Sequence, residues 1–244
     1  MLKKETIYRA LIYIAGLLIL ALGLTLNTKA GLGVSPIISV SYSISEITHH
    51  NFGNTTLGLY VVFVLLELLL HAICQKQWEK NSGEVLQHAN AINRRLIFVM
   101  DVLQIPLSIV FTRFLNVFSS ALPEFSKENH SASQTVLRFL VLIAALLCTG
   151  VGAAMSLNMR IVPNPGDGIV QAIADCIHKS VGFTKNCFDV CNVAVTITLS
   201  LVCTGRLYGI GIGTILAVIG VGRTIAVFNH FTKEKLTTLA GITS

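Results

Sequence analysis

The sequence predicts an all-α polytopic membrane protein of two four-segment repeats, each with three spans plus one short re-entrant half-helix, in inverted topology. Three observations predict it: an apolar composition, six stretches long enough to cross a bilayer, and an internal repeat. Of 244 residues, 53% are hydrophobic and only 12% charged, against roughly 25% charge in a soluble domain. A helical span needs about 20 mostly apolar residues, because backbone N–H and C=O groups must pair internally in hydrocarbon. Six stretches qualify, at roughly 8–26, 56–75, 96–118, 138–157, 187–204 and 207–229.

The first stretch follows Lys3, Lys4 and Arg9 but runs into LTLNTKAGLG rather than a small-residue cleavage site, so it reads as a retained span. A shorter, more polar segment follows it at 36–48, and another follows the fourth stretch at 165–178. Each opens on an N-cap residue and a proline, Ser35-Pro36 and Asn164-Pro165. A proline at the first helical position loses nothing by lacking an N–H, and Ser and Asn are expected to cap. Both segments are therefore read as half-helices whose N-termini lie deep in the membrane.

Self-comparison relates the two halves. Leu24–Lys29 aligns with Met155–Arg160 at an offset of 131, with five of six positions identical or similar. Ser35-Pro36 then matches Asn164-Pro165 at an offset of 129, and Gly53 and Thr55 match Gly182 and Thr184. Late in each half, Ile109, Arg113, Val117 and Phe118 match Ile219, Arg223, Val227 and Phe228 at an offset of 110. The drop is assigned to a polar loop at 76–93, replaced in the second half by the short CTGRLYG turn. The chain divides into a first membrane repeat at 1–122, a polar connecting loop at 123–134, a second repeat at 135–232 and a polar tail at 233–244.

The net charge of +6 reads as topology rather than nucleic-acid binding. With re-entrant half-helices and both termini cytoplasmic, twelve basic residues fall inside and four outside. If all eight segments cross, the split becomes nine and seven. The positive-inside rule favours re-entrance, and three crossings per half then invert the second half. Eight true spans in a parallel repeat are the alternative.

Two half-helix starts meeting at mid-membrane form a natural polar or anion site, from unpaired N–H groups and the helix dipole. Its candidate residues are Gly33 and Ser35 on one side and Asn164, Gly166 and Asp167 on the other. Asp167, whose twin is the apolar Ile38, is the first choice for proton or cation coupling, and Glu67, in mid-span, is the second. Arg113 and Arg223, at equivalent places in apolar runs, either anchor at an interface or hold an anionic substrate. Asp101, Asp175, Asp189 and Asn192 are further polar residues in apolar context, without assigned chemistry.

No HExxH, GxSxG or Walker sequence is present, and the seven histidines are scattered, so no enzyme, metal site or cofactor is expected. All six cysteines lie in or beside apolar segments, which argues against a disulfide framework. Cys187 and Cys191, one turn apart, read as small core residues.

AGLGVSP after the first span, PNPGDG after the fourth and GIGT-x-L-A-x-x-x-G before Phe228 resemble the YczE/YyaS/YitT family of bacterial integral membrane proteins over nearly the whole chain. The resemblance implies a bacterial inner-membrane location and a duplicated helical unit, but no substrate. In the first half, Leu103-Gln104-Ile105-Pro106 stands where the GIGT-like turn would be.

The expected function is secondary transport of a small anionic or zwitterionic metabolite through a site between the half-helix starts. A channel for a small solute or anion, and a membrane-embedded regulatory or scaffold subunit, are the alternatives. The expected partners are the lipid bilayer and a small-molecule substrate, with a second copy of the chain as a candidate and nucleic acid excluded.

Overall fold

The computed structural model describes residues 4–79, 84–123 and 132–242, with the backbone alone over 75–96. They form eight helices: α1 (Lys4–Ala30), α2 (Pro36–Thr48), α3 (Phe52–Glu79), α4 (Glu84–Ala121), α5 (Ala132–Asn158), α6 (Pro165–Ile177), α7 (Val181–Thr204) and α8 (Ile212–Leu239). Six of them are long and apolar enough to cross a membrane, and α2 and α6, at 13 residues each, are not. The protein is thus an all-α, multi-pass membrane protein.

Helices run further than hydropathy suggests. α3 continues to Glu79 and α4 begins at Glu84, so most of the stretch read as the polar loop 76–93 is helical, and α8 continues to Leu239, into the stretch read as tail. Hydropathy marks only the part of a helix that meets lipid, whereas Lys, Glu and Gln beyond it remain good helix formers. Of the connecting loop 123–134, residues 124–131 lie outside the described residues. α4 passes through Pro106 without ending, so Leu103-Gln104-Ile105-Pro106 lies within a helix and forms no turn.

Burial is inverted relative to a soluble protein. Val202 is 79% and Phe231 70% exposed, whereas Thr25, Ser39, Gln104 and Thr196 are fully buried. Apolar side chains face outward because lipid is their solvent, and polar ones turn inward to find partners.

α1 and α5 form the central pair, packed backbone to backbone. A Cβ at Gly16 would lie 2.8 Å from the Ser156 nitrogen, and one at Gly152 would meet Leu20 and the Gly16 carbonyl. Small residues are what permit such approach where no hydrophobic effect drives helices together. α4 packs on α1, α8 packs on α5, and each short helix packs against both α3 and α7.

Hydroxyl pairs fix α2: Ser39 with Thr196 and Ser43 with Ser200, each at 2.7 Å against α7, and Ser41 with Thr56 at 3.1 Å against α3. α6 is fixed instead by a disulfide between its Cys176 and Cys74 of α3. This corrects the expectation of no disulfide, which spacing could not reveal because the partners are 102 residues apart. Cys187 and Cys191 are exposed, not core residues.

Both short helices end at a left-handed histidine, His49 (φ 57°) and His178 (φ 53°). A Cβ in that region costs about 1–2 kcal/mol, which glycine avoids. His49→Gly is therefore expected to raise the apparent melting temperature of the detergent-solubilised protein, and a fall would show that the imidazole makes a compensating contact.

Candidate functional site

The two short helices begin inside the bundle and face each other. A Cβ on Gly166, in the first turn of α6, would lie 2.7 Å from Cδ1 of Ile37, in the first turn of α2. Beside this contact is a cavity of about 40 Å³, bordered by Ser35 and Ile37 from the α2 start and Asn164, Gly166 and Asp167 from the α6 start. Tyr60 of α3, Thr149 of α5 and Lys185 of α7 complete its polar lining, with apolar walls from α1, α5 and α8. One water needs about 10–15 Å³ on this measure, so the space suits a few waters and not a metabolite.

The loops that deliver the helix starts are tied to distant elements. Arg9 of α1 donates from Nε to the Met159 carbonyl and from Nη2 to the Arg160 carbonyl, both at 2.7 Å, and the Tyr13 hydroxyl donates to the Val162 carbonyl at 2.7 Å. These bonds hold the segment leading into Asn164. On the other side, the Val34 N–H donates to the Gly209 carbonyl at 2.8 Å, and the Gly213 N–H to the Leu32 carbonyl at 2.7 Å. Gly33 sits within this clasp at φ 111°, where a Cβ would lie 2.6 Å from the Gly211 nitrogen. Its work is close backbone approach, and it does not line the cavity.

The caps differ. Asn164 accepts from the Gly166 N–H at 3.2 Å, as expected of an N-cap, and its side chain also meets the Tyr60 hydroxyl. Ser35 makes no side-chain cap bond, which corrects the expectation that it would. Ser35 borders the cavity without closing the helix end.

Charge in the cavity comes from α6 and α7. Lys185 lies close enough to Asp167 to act on it electrostatically and is 3.6 Å from Asp189, one turn along α7. Asp189 is buried, and its Oδ1 has no hydrogen-bond partner. The site thus offers one cation between two carboxylates, next to two helix starts. An isolated charge at this depth is costly, which makes such a group a marker of function in a membrane bundle.

The structure brings together Ser35, Asn164, Gly166 and Asp167 of the expected site residues, and leaves the others elsewhere. Arg113 and Arg223 are exposed and outside the cavity lining, on the outward faces of α4 and α8. Glu67 is buried on the far side of α6, where a Cβ on Gly168 would approach both its oxygens at 2.8 Å. Tyr60 and Lys185 were not foreseen. For Lys185 the sequence does carry a sign, its i,i+4 spacing to Asp189 at the start of a span.

A family model described as a family of unknown function, DUF6198, matches residues 7–230. No curated protein and no solved structure matches the chain.

Proposed function

Because the chain belongs to DUF6198, a family without an assigned activity, we propose its function from the site: secondary transport of a small zwitterionic or anionic metabolite. The observation that carries the reading is the meeting of two half-helix starts at a cavity that also holds Asp167 and Lys185, inside a bundle whose outer surface is apolar. Broken helices with facing N-termini are how transporters build a midplane site for anionic groups. The lysine and the helix starts would take a carboxylate or phosphate, and the acids an amine, a proton or a cation. With both arginines outside the cavity, a purely anionic substrate has less support than a zwitterion.

An inverted repeat belongs to the same proposal, and the helix contacts support it. The contacts of α2 with α3 and α7 have counterparts in those of α6 with α7 and α3, and the α1–α4 contact has its counterpart in α5–α8. The pair Ser39–Thr196 corresponds to Gly168 and Glu67 at the offset of 129 that relates Ser35 to Asn164. At that offset, Tyr60 corresponds to Asp189, and Lys185 to Thr56. Two halves packed this way can exchange roles as one rocks against the other. A cavity of about 40 Å³ is then an occluded state that must open to admit a metabolite.

Loop charge supports cytoplasmic termini, and the likeness to YczE/YyaS/YitT proteins supports a bacterial inner membrane.

The test is a thermal-stabilisation screen of the purified protein with amino acids, carboxylates, phosphates and vitamins, followed by uptake of hits into liposomes. The expected result is a hit whose stabilisation falls in Lys185→Met but not in Arg113→Ala, with saturable, gradient-driven uptake. Flux that neither saturates nor follows a gradient would make the protein a channel. No hit and no flux would favour a regulatory or scaffold subunit.

A further inference from the structure

On the side of α6 away from the cavity, α3 and α4 place four polar side chains together. Glu67 and His71, one turn apart on α3, meet Asp101 and Gln104 of α4. His71 Nδ1 is 2.8 Å from Asp101 Oδ2, and Gln104 Nε2 donates to Glu67 Oε1 at 2.9 Å. One ligand atom each from Glu67, His71 and Asp101 lies within 4.8 Å of the others. Glu67 and Asp101 are each 3% exposed, and Gln104 is fully buried.

The cluster is incomplete as a hydrogen-bond network. Glu67 Oε2 and Gln104 Oε1 are buried without any partner, which costs about 1–3 kcal/mol for a neutral group and more for a charged one. Among the described residues no lysine or arginine pairs with either carboxylate. Two acids and two orphaned oxygens around one imidazole call for a cation.

We propose that Glu67, His71 and Asp101, with the Gln104 carboxamide oxygen as a further donor, form a binding site for a divalent transition-metal ion. The donor set selects the class: an imidazole nitrogen with carboxylate oxygens suits Zn²⁺, Mn²⁺ or Fe²⁺, whereas Mg²⁺ and Ca²⁺ prefer oxygen alone. Binding would release His71 from its hydrogen bond to Asp101 and draw the carboxylates about a common centre. Gly168 of α6 lies against it: a Cβ there would lie 2.8 Å from either Glu67 oxygen and 3.0 Å from Gln104 Nε2. The ion would thus join α3 and α4 directly beneath α6, one residue from Asp167.

The full-length protein, purified, stripped with a chelator and titrated with Co²⁺ and Zn²⁺, tests the site through visible cobalt absorption and thermal stabilisation. One saturable Co²⁺ per chain is expected, displaced by Zn²⁺. Affinity is expected to fall by about 100-fold or more in Glu67→Gln and in Asp101→Asn, both isosteric and checked for a monodisperse peak. It is expected to survive in Cys74→Ser/Cys176→Ser and in His49→Ala/His50→Ala. Absence of saturable binding overturns the proposal, as does binding that survives in both carboxamide variants or is lost with the cysteines. None of these outcomes depends on transport.

Discussion

Gly152→Val is expected to abolish the folded bundle, the largest stability effect of any substitution considered. A Cβ at Gly152 would meet the Leu20 backbone nitrogen, and it would lie 2.7 Å from the Gly16 carbonyl and 2.8 Å from the Leu20 Cα. These neighbours are backbone atoms of α1, so no flexible side chain can swing away and the two central helices must separate. Overpacking commonly costs about 1–3 kcal/mol, and valine here demands displacement of a whole helix, so about 3 kcal/mol or more is expected. The check is loss of the monodisperse peak of the purified protein. Gly222, on α8 with nothing within 4 Å of its Cβ position, is the control. There alanine is expected to stabilise by about 0.5–1 kcal/mol, because it restricts the unfolded chain and favours helix. Equal behaviour of the two sites would mean that α1 and α5 do not pack closely.

Asp167→Asn is expected to remove gradient-driven uptake while leaving the fold intact. The side chain is isosteric, and Lys185 keeps Asp189 as its partner at 3.6 Å. What disappears is the carboxylate bordering the cavity at the start of α6. A hydrogen bond to a charged group is worth about 1.5–3 kcal/mol, so binding of an amine-bearing ligand is expected to weaken by about 10–100-fold. If Asp167 carries the coupling proton or cation, exchange of substrate across a liposome membrane persists while accumulation against a gradient is lost. Accumulation at the wild-type rate would remove Asp167 from the mechanism and return it to the role of an acid that merely favours a helix N-terminus.

The spans were legible because hydropathy and length are local quantities, and the helix starts at Pro36 and Pro165 because proline and its preceding cap residue act within one turn. The cavity was legible in part for the same reason: Ser35, Asn164, Gly166 and Asp167 are adjacent in sequence to those prolines. Arg113 and Arg223 misled because a residue's place within a span does not say which way its side chain faces, and both face outward. Ser35 was expected to cap, but the loop before it is bonded to Gly209 and Gly213, and Ser35 borders the cavity without a side-chain cap bond.

The sequence by itself determined that this is a helical membrane protein with six spans and two short helices, since composition, stretch length and proline placement require no knowledge of distant contacts. Only the tertiary structure decided that the short helices face each other, that Lys185 joins Asp167 and Asp189, and that Glu67, His71, Asp101 and Gln104 form one cluster. Each of those groupings spans separate helices. In a bilayer, helix partners are chosen by backbone proximity at small residues and by the need of buried polar groups for one another, and neither is written in the neighbourhood of any single residue.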